Sequence, residues 1–142
     1  MSEGSETKKY VWIGIGIVLL FGPLLLLSDW GLQKVQGYVN DNQAEPWAGD
    51  WEDRIATAYS WTGRHERART AYDWAYNLFM ARNDTEHAIQ ALYAEAQEIE
   101  ELPNGKYEAL PVYEKIATTW PSHELGVKSR GATQRIKLMS RP

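Results

Sequence analysis

Cysteine is absent from the chain, which excludes a disulfide framework, thiolate metal sites, a Cys nucleophile and a lipidated Cys anchor. Also missing are the Walker loop, the nucleophile elbow and HExxH, the patterns that cradle phosphate, expose a reactive serine or hold zinc. The histidines, His65, His87 and His123, lie far apart in sequence, and none has a second His at i, i+4. They are expected to be capping or solvent-exposed side chains rather than metal ligands. Glycine and proline are not enriched, at 11 and 6 of 142 residues, whereas seven Trp and eight Tyr are many for so short a chain. That composition argues against disorder.

Charge of one sign is scarce in two stretches. Asp84 to Glu114 holds eight acids against the single base Lys106, while His123 to Pro142 holds five bases against Glu124. The net charge of -4 therefore conceals an acidic part and a basic end. Glu95, Glu98 and Glu101 fall three apart and read as a solvated helix face rather than as an acid pair or metal site.

What stands out most is a long uncharged run, VWIGIGIVLLFGPLLLL, from Val11 to Leu27. With Tyr10 and Ser28 it forms about 28 Å of helix, against roughly 30 Å of membrane hydrocarbon. Tyr10, Trp12 and Trp30 stand where interfacial rings belong, so residues 10–30 are expected to form a transmembrane helix in contact with lipid, preceded by a polar tail over 1–9. Lys8 and Lys9 also suit a secretory signal, but the run is long for one and Leu26-Leu27-Ser28 lacks a small-x-small cleavage pattern. A retained signal anchor is the expectation. Lys8 and Lys9 precede the run, and only Lys34 follows it closely. The expected placement is a cytoplasmic-type inner membrane, with a cytoplasmic N-terminus and a periplasmic or otherwise extracytoplasmic helical domain. Gly14, Gly16, Gly22 and Pro23 are candidate packing positions against neighbouring membrane helices, with Pro23 permitting a kink.

Residues 31–50 read as a connector, helix-capable from Gly31 to Val39 and then turn-rich. Beyond it, residues 51–142 show helical spacing without a period-two stretch, so the chain is expected to be all-α with about five helices after the span. Trp51, Ile55, Ala58 or Tyr59, and Thr62 mark the first, which stops at Gly63. The second runs from about Glu66 to Arg82; the third is capped at Asn83-Asp84-Thr85, and the fourth runs from about Tyr107 to Trp120. Ser122 is expected to cap a fifth, reaching to about Met139.

The series Ala56, Tyr59, Gly63, Ala68, Tyr72 and Ala75 resembles a tetratricopeptide repeat, with small and aromatic residues on two helices joined at a glycine turn. Ala109, Tyr113, Ile116 and Pro121 form a second, partial copy, in which Ala109 and Tyr113 stand 41 residues after Ala68 and Tyr72. That offset exceeds the family's 34 residues, and Met80 stands where its proline would fall. The resemblance implies repeats over about 51–82 and 85–121, a capping helix over 122–139, a short curved solenoid and a protein-binding role.

The same reading makes Trp47, Trp61 and Trp74, together with Arg64, Arg67, Arg130 and Arg135, candidate partner-binding residues; the tryptophans could equally be satellite core. No cofactor, metal, nucleic acid or small-molecule substrate is expected, and the chain does not read as an enzyme. The expected function is that of an accessory or scaffold subunit in a respiratory, photosynthetic, secretion or envelope-type membrane complex. The alternative is an independent membrane-tethered adaptor or chaperone-like protein that binds peptides or clients transiently.

Overall fold

The computed structural model describes residues 3–139, with side chains from Tyr10 onward, and shows seven α-helices among them. The first, α1 (Glu3–Leu26), is already helical within the stretch expected as a tail. Its described large apolar side chains stand in the open, with Val18, Leu19 and Leu24 at 68%, 72% and 62% exposure. The helix continues past Pro23 and ends at Leu26, four residues before the expected limit of the span.

Two local causes set that end. Ser28 caps the next helix, α2 (Asp29–Asp41), by accepting from Gly31 N at 3.1 Å, and its hydroxyl donates to Leu25 O. Gly31 also lets the two helices meet, because a Cβ there would lie 2.3 Å from Leu25 O. The axis turns by 70° between Tyr10–Leu26 and Asp29–Asp41. Among the described residues no single helix is long and apolar enough to cross a membrane, and this bent pair is the one candidate by length and composition.

Most of the expected connector is thus a helix, and it belongs to the bundle. Leu32 and Val39 of α2 are buried against α3 (Ala48–Trp61). From there each helix packs on the next: α4 (His65–Ala81), α5 (Thr85–Glu100), α6 (Gly105–Thr119) and α7 (Glu124–Met139), with a further contact between α5 and α7. The turns into α4, α5 and α6 each contain one left-handed residue, Gly63 at φ +72°, Asn83 at 59° and Asn104 at 63°. Glycine and asparagine tolerate that conformation best. Asp84 caps α5 as the sequence suggests, accepting from His87 N. At the start of α7, in the place expected for Ser122, Leu125 N donates to His123 Nδ1 at 3.1 Å.

The core is built mainly from small residues and tyrosines. Ala56, Tyr59, Ala68, Ala75, Ala109 and Ile116 are fully buried, and Tyr72 and Tyr113 nearly so. Alanine lets helix axes approach, and the rings fill the space beside each close contact. Tyr72 Oη lies 3.1 Å from Thr57 Oγ1 on α3, and Tyr113 Oη donates to Glu100 Oε1 on α5 at 2.6 Å. In both cases a ring on the second helix of a pair bonds to the first. The α3 core face differs from the expected one: Trp51 is 45% exposed, and Glu52 takes the buried position. The cause is α2, whose Gln36 Nε2 donates to Glu52 Oε1 at 2.6 Å across the interface.

Candidate binding surfaces

Three features could engage something outside the chain: the elbow between α1 and the bundle, a groove between α5 and α7, and an aromatic shelf on α2 and α3. The elbow is fastened by the arginines expected to bind a partner. Arg64, entering α4, reaches Asp29 Oδ1 at 3.1 Å and donates to the carbonyl of Leu27; Arg67 meets Asp29 Oδ2 at 3.2 Å. Both guanidinium groups lie over the buried ring of Tyr59, at 5.2 and 5.9 Å. Arg64 and Arg67 therefore have partners within the chain. They hold the end of the apolar helix against the turn between α3 and α4.

The groove between α5 and α7 encloses about 440 Å³ and includes Tyr93, Gln97, Glu101 and Lys128 in its lining. A hydrogen-bonded polar set forms part of the same lining. Arg135 Nη2 lies 2.8 Å from each carboxylate oxygen of Glu100, which also accepts from Tyr113. Burial, reinforced by Glu100, raises the Tyr113 phenol above its ordinary value, so the ring acts as a donor throughout the ordinary pH range. Arg130 lies on the other side of α7, beside Pro121 O and the groove shared with α6. Arg130 and Arg135 do not share a surface. Pro121 is exposed in the turn between α6 and α7.

The tryptophans also divide. Trp61 ends α3 at 84% exposure, Trp74 on α4 is 39% exposed, and Trp47 is half-buried, stacked on Tyr38 at 5.8 Å with a 7° interplanar angle. Trp51, which reads as core in the sequence, joins Val35, Tyr38, Val39 and Trp47 around an apolar hollow of about 360 Å³. Arg54 lies 5.5 Å over the Trp51 ring.

Two of the three carboxylates expected on a solvated face are not solvated. Glu98 is buried, accepting from Ser60 Oγ at 2.5 Å and lying 2.7 Å from His65 Nδ1, so it fastens α5 to both helices of the preceding pair. Glu95 is half-buried, and burial, aided by Asp73, lifts its carboxyl to about 7 against the pull of Lys115 and Arg69. Glu101 is exposed, as expected. Each histidine meets one acid: His65 with Glu98, His87 with Asp84 and His123 with Glu86. Among the described residues no three His, Asp or Glu side chains converge as metal ligands would.

In α1, Gly14 and Gly16 have open space where a Cβ would stand, and Gly22 approaches only Val18. Pro23 is exposed beside Gly22. Compared with known proteins, the chain matches no family model, and neither a curated protein nor a solved structure shows significant similarity to it.

Proposed function

We propose that the chain is a non-catalytic accessory or scaffold subunit of a membrane protein complex, anchored by α1 and binding partner subunits through its helical array. The observation that carries this reading is the contrast in α1. A helical stretch that is uncharged from Tyr10 to Leu26, with Leu19 at 72% exposure, is unfavourable in water and needs lipid or another protein around it. The apolar part, Tyr10 to Leu26, gives about 26 Å of helix by length, near the lower limit for a span. The open faces of Gly14, Gly16 and Gly22 suit close approach of a second membrane helix.

For the bundle we propose two tetratricopeptide-like repeats, α3 with α4 and α5 with α6, capped by α7. The burial of Ala68 and Tyr72, and of Ala109 and Tyr113 at the 41-residue offset, supports this. So does the hydrogen bond that each tyrosine makes to the preceding helix. Part of the stretched offset, three of its seven additional residues, has a local source: α5 is two residues longer than α3, and its turn into α6 has one residue more. The α5–α7 groove is then the inner face of the array, the natural place for a partner segment. The proposed membrane is of the cytoplasmic type, with the bundle on the extracytoplasmic side.

Gentle solubilisation of native membranes, followed by size separation and identification of co-purifying proteins, tests this directly. The expected result is a stable, stoichiometric complex. A chain that runs alone overturns the subunit reading, and peptide capture in the α5–α7 groove by that free chain would support a transient adaptor instead.

A further inference from the structure

We infer that the aromatic shelf on α2 and α3 rests on the lipid headgroup layer, giving the bundle a second foothold on the bilayer beside α1. This inference rests on α1 being a membrane helix, and it goes beyond that reading by fixing how the bundle lies.

The geometry begins at Gly31, whose missing Cβ points at the end of α1, 2.3 Å from Leu25 O and 2.9 Å from Leu26 O. Tyr38 is seven residues further along α2, two helical turns, and therefore stands on the same face. That face lies on the α1 side of the elbow. With a 70° bend, an α1 aligned with the membrane normal puts α2 within about 20° of the membrane plane. The side of α2 nearest α1 then looks toward the lipid.

What the shelf carries suits a water–lipid boundary. Tyr38 is 63% exposed, Trp51 45% and Trp30 68%, although each is large enough to belong in a core. Trp47 stacks on Tyr38, and the hollow beside them is apolar. Lys34 lies 5.9 Å over the Trp30 ring and Arg54 5.5 Å over that of Trp51, so two cations accompany the rings. Rings with one polar edge, next to cations that meet phosphate, are the composition favoured at bilayer interfaces. The elbow keeps this arrangement in place, because Asp29, Arg64 and Arg67 fix the start of α2 to the bundle.

The absence of cysteine makes a direct test possible. Single variants of the full chain, Lys34→Cys, Tyr38→Cys, Leu19→Cys and Gln90→Cys, are labelled with an environment-sensitive fluorophore and reconstituted in phosphatidylcholine vesicles. Nitroxide lipids then quench either near the headgroups or near the bilayer centre. Lys34 and Gln90 are both exposed, so those two labels leave the packing intact. Shallow quenching is expected to be about threefold stronger at positions 34 and 38 than at 90, with deep quenching at 19. Deep quenching at 19 with no excess at 34 or 38 overturns the foothold and leaves the anchor standing. Loss of quenching at 19 overturns the anchor itself. Protection of 34 and 38 from both lipid and aqueous quenchers assigns the shelf to a protein partner and also overturns the inference.

Discussion

Along α4, Ala68, Ala71 and Ala75 expose nothing, while along α1 the leucines Leu19, Leu20 and Leu24 expose 72%, 69% and 62%. The larger apolar side chains are on the helix that packs least, and the smallest are at the centre of the bundle. The difference shows two ways of using apolar surface. In the bundle, small residues bring helices together so that a few tyrosines and isoleucines fill the remaining space; in α1, bulky residues face outward toward whatever surrounds the chain. The sharpest way to break this contrast is to truncate one side chain of each kind. Tyr59→Ala removes a fully buried ring and should cost about 3 to 5 kcal/mol of bundle stability. Leu19→Ala should leave the bundle's melting temperature unchanged, since Leu19 touches no part of that core. Thermal melting of both variants in the same detergent checks the pair, and an equal loss in each would sink the idea of two independent regions.

A smaller effect is expected where the bundle depends on the absence of a side chain. At Gly105 a Cβ would lie 1.6 Å from Ile99 O, a backbone atom that cannot turn aside. Gly105→Ala should therefore cost about 2 kcal/mol by forcing α5 and α6 apart. Gly14→Ala in α1 meets nothing within 4 Å and should leave stability as it was. Chemical denaturation of the two variants tests whether glycine serves different ends in the two regions.

The bundle was the more legible of the two regions, for a physical reason. Alanine and tyrosine at helical spacing report close packing, and Ala56, Ala68, Tyr72 and Tyr113 are buried where that pattern puts them. Helix ends written in local chemistry, such as Gly63 and Asp84, were legible too. What escaped depends on residues distant in the chain. Trp51 has the size of a core residue but lies at the rim, because α2 arrives from 16 positions earlier and places Gln36 against Glu52 instead. The Asp29–Arg64 pair joins residues 35 apart, and no local pattern announces it. Of the candidate surfaces, the separate tryptophans were visible in sequence, but the shelf that gathers Trp47, Tyr38 and Trp51 exists only after α2 folds back.

The elbow joins the two regions, and loosening it should have a modest energetic effect and a larger geometric one. Asp29→Ala removes the partner of Arg64 and Arg67, both in part exposed, at a cost of about 1 kcal/mol. Spin labels at positions 19 and 90 should nonetheless report a broader distance distribution between α1 and the bundle. A distribution as narrow as that of the unsubstituted chain would mean that Ser28 and Gly31 hold the angle by themselves.

The last expected effect, confined to one pH window, concerns the boundary between α2 and α3, where the bundle buries a carboxyl. Glu52 is fully buried, its Oε2 has no partner, and burial raises its carboxyl to about 7 despite the hydrogen bond from Gln36. A carboxyl that titrates near 7 when folded and near 4.5 when unfolded binds more protons in the folded state across that window. Stability is then highest below pH 4.5 as far as this group is concerned, falls as pH rises toward 7, and levels off above it. His87 adds to the same trend. Its value is raised by Asp84, so its contribution is complete below 6.5 and fades as pH climbs through the folded value. Glu52→Gln keeps a group that can accept from Gln36 and removes the ionisation. It should remove most of the fall between pH 5 and pH 8, which for a carboxyl shifted from 4.5 to about 7 amounts to about 2 kcal/mol, the gain coming at pH 8, where no charge is left in the interface. Melting curves of both proteins at the two pH values test this. A fall from pH 5 to pH 8 as steep in the variant as in the unsubstituted chain would assign the pH dependence to Glu95 and His87 instead.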